Sequence, residues 1–312
     1  MAGFNWRIKT ILLKIETTYG TDPTPTGAAN AIQLSNVSLK PMDGQDVSRN
    51  LDRAFLGAQQ QFPTGLMATL TGETELIGHA TPGTAPGWGP LARISALAQV
   101  LSPGVSAIYN PISGPVFESG TIWFDVAGTR QVMLGCRATG VIRLNSQAIP
   151  VIAWTITGLW TQPVDQAPAT PVLTAFQTPL IVNKANTPTF TINGVTCLLR
   201  NFELDLANQV TPRLLANAEE IVVSDSAGMI STQIEAVALA TLNPFLLAKN
   251  QTSFAVNLVH GVGAGKIVTI NAPTCRMMRP ESYAQEDNIL EWPLRIIPLP
   301  NAGNDQFTIT LT

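Results

Sequence analysis

Glu73 and Glu75, His79 and His260, Cys136, Cys197 and Cys275, and the run Gly261-Val-Gly-Ala-Gly-Lys266 are the residues whose types could carry chemistry. The two glutamates stand two apart, so a strand puts them on one face. Glycosidase carboxylates face each other across a cleft, which neighbours along one strand do not. Two histidines and three widely spaced cysteines form no CxxC and no Cys/His cluster. Neither a zinc site, a disulfide frame nor a histidine-driven triad is indicated. The cysteines read as buried free thiols and the histidines as surface or turn residues. The glycine run fails as a phosphate loop, because His260 stands where its first glycine belongs and Ile267 where Ser or Thr belongs. A hairpin turn explains it better, and there is no GxSxG elbow. Neither catalysis nor a cofactor is expected.

The element that must position the glutamates is residues 65–100. Leu66, Ala68, Leu70, Gly72 and Leu76 take one face of a strand, and Thr69, Thr71, Glu73 and Glu75 the other. That alternation is the mark of a half-buried antiparallel strand. A crossing rich in Gly, Pro and Thr follows from His79. Pro90 then suits a first helical position, with Leu91, Ile94, Leu97, Ala98 and Leu101 at helical spacing.

The chain has 312 residues, of which 12% are charged and 45% hydrophobic; mean hydropathy is +0.19. Much of its surface should therefore be covered. There is no apolar run of 18 residues, so the cover is not a bilayer. Other copies of the chain are the expected cover, as obligate interfaces resemble a core cut in half. The N-terminus lacks the h-region of a secretory leader, so synthesis and retention in a cytoplasm are expected. A net charge of −3 and the absence of a basic stripe argue against a protein that grips nucleic acid.

Strands are expected at residues 8–15, 31–39, 65–76, 121–126, 130–138, 140–144 and 150–160, with 16–30 an extended arm and 102–120 a long loop. A linker by composition starts at Thr161. The second half repeats the order. Leu34-Ser-Asn-Val-Ser-Leu39 matches Leu199-Arg-Asn-Phe-Glu-Leu204, and Thr64-Gly-Leu-Met-Ala-Thr69 matches Ala227-Gly-Met-Ile-Ser-Thr232. Pro90 matches Pro244, Gly135-Cys-Arg137 matches Thr274-Cys-Arg276, and Ile152-Ala-Trp-Thr-Ile156 matches Leu290-Glu-Trp-Pro-Leu294. The spacing between matches shrinks steadily, as duplication with shortened loops predicts. The domains so read are 1–160, a linker 161–190, and 191–312.

Glu73-Thr-Glu-Leu, with Gly78-His-Ala-Thr-Pro-Gly-Thr-Ala-Pro-Gly-Trp-Gly-Pro-Leu-Ala-Arg93 after it, resembles the "E-L…G-T-A-P…G-P-L-L-R" signature of phage tail tube proteins. Glu16-Thr-Thr-Tyr-Gly-Thr-Asp-Pro, followed by Ala28-Ala-Asn-Ala-Ile32, is similar to the entry segment of major tail tube proteins of long-tailed, siphovirus-like bacteriophages. The resemblance spans residues 8 to about 160, with Ala92 replacing the usual second leucine.

The resemblance implies a mainly β chain: two tandem β-sandwich-like tail tube domains, each with one short flanking α-helix, assembling into a closed β-barrel tube. Each domain would lend four strands to a 24-stranded barrel, so three chains would close a trimeric ring of pseudo-six-fold symmetry. Stacked rings would form the virion tail tube, the conduit for DNA ejection, self-assembled in the host bacterial cytoplasm. Implied partners are further copies, tape-measure, tail terminator and distal tail proteins, and double-stranded DNA in passage, with no membrane. Thr69, Thr71, Glu73 and Glu75 are the candidate lumen-facing residues. Tyr19, Asp22, Tyr109, Asn110 and Phe117 mark the candidate inter-ring loops. A capsid decoration protein or adhesin module remains open as an alternative, as does a carbohydrate-binding or hydrolytic β protein with an aromatic cleft. In the tube reading Trp154 and Trp292 are core residues at matching positions.

Overall fold

The computed structural model describes residues 5–114 and 117–312; residues 1–4 of the leader reading and 115–116 of the 102–120 segment lie outside them. The chain is 51% strand and 6% helix. The main strands of the first half are β1 (Lys9–Ile15), β2 (Ser35–Ser48), β3 (Gln61–Glu75), β4 (Leu97–Ser102), β5 (Ser106–Pro111), β6 (Gly120–Val126), β7 (Thr129–Asn145) and β8 (Val151–Trp160). Those of the second are β9 (Thr189–Ile192), β10 (Leu199–Asp205), β11 (Asn208–Leu215), β12 (Ala218–Ser226), β13 (Met229–Glu235), β14 (Phe254–His260), β15 (Val268–Met277), β16 (Ala284–Glu286), β17 (Ile289–Pro298) and β18 (Thr308–Leu311).

One antiparallel wall runs through both halves in the order β2–β3–β8–β7–β10–β13–β17. The place after β17 is shared by the end of β15 and by β16. Along β3, Ala68, Leu70, Gly72 and Thr74 are buried while Thr69, Thr71, Glu73 and Glu75 are half-buried, as the period-2 reading expects. A second layer packs on the buried face. There β1 pairs with β6, and β6 with the first part of β7. In the second half β9 pairs with β14 and β14 with β15, while β18 ties β15 to β5 of the first half.

β7 is one strand of 17 residues, where sequence suggested two. It passes from one layer into the other by bending. Gly135 sits at φ +59, and the register slips between Leu134 and Arg137. Such an extra residue bends and twists a strand without ending it. A Cβ at Gly135 would also meet the Tyr19 ring at 2.5 Å, so the bend admits glycine alone.

Four other expectations need correction. The helix ends at Ile94, not near Leu101, because Ala96 takes a left-handed φ of +58. Leu97 and Leu101 belong instead to β4, paired with β5 around a turn whose Gly104 has φ +74. The expected 102–120 loop accordingly contains β5. Third, His260 is buried, not a surface or turn residue: Thr187 Oγ1 lies 2.9 Å from Nδ1 and the Leu180 carbonyl 3.1 Å from Nε2. Fourth, the match of Thr69 to Thr232 slips by one. Trp154 faces Gly72 and Trp292 faces Ile234, so the partner of outward Thr69 is outward Ser231. Trp154 and Trp292 themselves are buried, as are all three cysteines, which are free thiols. Burial pushes the Cys275 thiol up to about 12.

Burial holds the His260 pKa below its ordinary 6.5, so the folded state favours the neutral ring. A base with a lowered folded pKa contributes stability in full above the unfolded value, and loses it as pH falls toward the folded one. The urea midpoint should therefore drop between pH 7 and pH 5 more steeply in the native chain than in His260→Gln. Parallel pH profiles would refute this assignment.

Candidate assembly surface

The outward face of the wall is polar, and the charges at its centre are paired, while Arg295 on β17 is exposed opposite Ser231. Arg143 on β7 lies 3.1 Å from Glu203 on β10 and 4.0 Å from Glu73 on β3. Asn36 on β2 donates to the same Glu73 at 2.7 Å. Thr69, Thr71, Thr155 and Thr157 fill the neighbouring rungs. Burial raises the pKa of Glu75 above the ordinary carboxylate value. The arrangement presents hydroxyls and neutralised ion pairs rather than a cluster of free cations.

The two halves meet in a seam that continues the wall. β7 and β10 pair from Val141 opposite Asp205 to Asn145 opposite Asn201. On its inner face Leu144 lies opposite Phe202 and Ile142 opposite Leu204, all four at most 1% exposed. The β11–β12 hairpin then folds across the first half. Asn208 Nδ2 donates to the carbonyls of Ser95 (2.7 Å) and Ala138 (3.2 Å). Arg137 donates to the Ile221 carbonyl and pairs with Glu220, while the Ile221 amide donates to the Tyr19 hydroxyl at 2.6 Å. Burial pushes the Tyr19 phenol up to about 12, so it stays protonated at neutral pH.

Tyr19 is held in place by a buried carboxylate. Glu16 accepts from the amides of Gly20 (2.9 Å) and Gly135 (2.8 Å) and from the hydroxyls of Ser119 and Thr121 (both 2.7 Å). Glu16 opens the segment that resembles the entry of tail tube proteins, and nothing in its local sequence marks it as a hub. Its partners lie more than a hundred residues away, with Gly20 excepted.

The sequence-chosen residues divide. Thr69, Thr71, Glu73 and Glu75 share the outward face with Arg143. Tyr19 belongs to the intrachain seam, and Asp22 accepts from Trp123 Nε1 at 3.0 Å. Tyr109 lies in β5, fully buried against Trp88 with ring centroids 5.0 Å apart, so it is core and not a loop contact. Asn110 is half-buried and donates to the carbonyls of Pro111 and Asn304. The Phe117 carbonyl accepts from Arg137 at 3.2 Å.

Both ends of the wall are open. Among the described residues β2 pairs only with β3, and β16 only with β17. The β16 end carries an apolar cleft of about 450 Å³ lined by Leu239, Phe245, Tyr283, Ile289, Leu290 and Trp292. Tyr283 is 65% exposed and Leu290 48%. Open strand edges beside exposed apolar groups are a liability that a protein covers in its working state.

A β-rich chain whose distinctive surfaces are a polar sheet face and two open edges is a structural protein in class. The family model described as phage tail tube protein matches residues 6–309, and the chain belongs to that family. Membership implies a structural role in the virion tail. No curated protein matches the chain. No helix among the described residues is long and apolar enough to cross a membrane.

Proposed function

We propose that this chain builds the wall of a phage tail tube as two tandem tube domains, 1–160 and 191–312, joined by the linker 161–190. Each domain lends four strands: β2, β3, β8 and β7 from the first, β10, β13, β17 and the β15/β16 position from the second. Three chains close a ring of 24 strands with pseudo-six-fold symmetry, and rings stack into a conduit for double-stranded DNA. The observation that carries this reading is the β7–β10 seam, where one four-stranded unit continues into the next without a break. Closure removes both open edges. Ring-on-ring stacking is a heterologous contact, which propagates into a filament. Tape-measure, terminator and distal tail proteins are the expected partners, with assembly in the bacterial cytoplasm.

The face carrying Thr69, Thr71, Glu73 and Glu75 lines the lumen in this reading. Each free Lys or Arg on such a wall would add salt-sensitive affinity for phosphate, and here Arg143 is held by Glu73 and Glu203. Changing Glu73 and Glu75 to lysine should leave tubes intact and slow DNA ejection, most at low salt. Unaltered ejection kinetics in phage carrying both changes would rule out a lumenal face. Electron microscopy of the purified protein tests the whole: stacked rings of three chains are expected, and closed small oligomers or rings of six chains would overturn it.

A further inference from the structure

The outward face of the wall differs in charge between the two halves. Counted from Trp154 and Trp292, which face Gly72 and Ile234, Arg295 on β17 stands where Thr157 stands on β8. Thr157 lies opposite Thr69, and Arg295 opposite Ser231. At this height the first half presents a pair of hydroxyls and the second a cation. The neighbouring strands differ too. On β7 Thr157 faces Arg137, which is 7% exposed and donates to the Ile221 carbonyl. Beside Arg295 the sheet continues through the Met278 amide, which donates to the Arg295 carbonyl at 2.9 Å and leads into the segment 279–282.

That segment and the strands line a polar cleft of about 190 Å³. Arg279 and Ser282 come from the segment, and Arg295, Ser231 and Asn201 from the strands. Glu281 also borders the cleft and lies 3.2 Å from Arg279. Two guanidinium groups against one carboxylate leave positive charge in excess. The Arg295 side chain is exposed, and its one hydrogen bond among the described residues goes to the Met229 sulfur at 3.5 Å. A thioether is a weak acceptor, so most of the guanidinium fork stays available. Such a fork matches the paired oxygens of a phosphate, to which it donates twice. Arg143, by contrast, already meets two carboxylates.

We propose that this cleft is an oxyanion site that takes a phosphodiester group of double-stranded DNA. Arg295 and Arg279 hold the phosphate oxygens, and the hydroxyls of Ser231 and Ser282 are further donors. The assignment rests on the reading of this face as the lumen wall. Charge selects the occupant: the cleft is cationic, the ion pairs at the centre of the wall are neutralised, and DNA phosphate is the anion a lumen wall meets. One phosphate contact per chain is weak and salt-sensitive. Because threonine takes the matching place in the first half, DNA in passage meets this cation only at every second domain around the ring. The wall thus touches the duplex without gripping it.

The test uses the full chain, dilute and labelled with 15N-arginine, titrated with a short DNA duplex at low salt. The Nε–H signals of Arg279 and Arg295 should shift while that of Arg143 stays in place. A tenfold rise in salt should weaken the association roughly eightfold for each phosphate held. Arg279→Gln with Arg295→Gln should keep the native circular dichroism, since both side chains are exposed, and lose the binding. No shift in the native chain, or equal binding by the double variant, would overturn the site. Equal shifts with poly-glutamate at matched charge would overturn the phosphate assignment in favour of a carboxylate partner. Electron microscopy of the same protein keeps the two readings apart. Tubes that form from a chain with no such shifts would sink the cleft alone, and a chain that binds the duplex but never forms rings would sink the tube reading alone.

Discussion

Glu16→Ala destabilises the folded chain by roughly 4 kcal/mol, since a lost acceptor strands buried donors at about 1–3 kcal/mol each before relaxation. The carboxylate is 9% exposed and accepts from two amides and two hydroxyls. The hydroxyls of Ser119 and Thr121 can rotate to new partners, but the amides of Gly20 and Gly135 cannot. Glu16→Gln should fall between, near 2 kcal/mol, because its oxygen keeps one pair of donors while its amide NH₂ faces the other. Urea unfolding reads both, and an alanine variant with the native midpoint would disprove the hub. The effect should also travel. Gly135 forms the bend of β7, Tyr19 stacks over it, and Tyr19 accepts from Ile221. Loosening Glu16 therefore frees the β11–β12 hairpin, which faster protection loss at the Ile221 amide in hydrogen exchange would report.

This hub shows which parts of the molecule were legible beforehand. Alternation along residues 65–76 gave the faces of β3 because one face packs on a core, and period 2 records that directly. The burial of Trp154 and Trp292 was legible for the same reason: each fills the buried side of its strand. The Thr69–Thr232 match went wrong by one residue because it followed letters, whereas the faces follow strand partners. Leu97 and Leu101 suited a helix by spacing, and only pairing with β5 drew them into a strand. Tertiary pairing overrides such local preference. Glu16 and the seam were not legible at all. Their partners are brought together by topology, which neither periodicity nor composition encodes.

Trp154→Ala and Trp292→Ala should separate folding from assembly. Trp154 is 2% exposed, rests on Gly140, where a Cβ would come within 2.8 Å of its ring, and donates to Thr74 at 2.9 Å. Emptying that site in a closed core should cost about 4 kcal/mol, the usual range for a large aromatic. Trp292 is 5% exposed, meets Phe245 edge-on at 6.5 Å, and borders the open cleft beside Tyr283. Its neighbours have room to relax, so in the monomer its loss should cost nearer 2 kcal/mol, since the penalty depends on how well a site collapses. In the tube the order reverses. If the ring closes as proposed, the cleft that Trp292 floors lies at the junction with the next copy, so Trp292→Ala, though the more stable monomer, should assemble worse per unit of stability lost. Unfolding by urea at high dilution gives the first ranking and pelleting of assembled tubes the second. Equal costs in both assays would mean that the two tryptophans serve the same closed core and that the cleft is not a contact between copies.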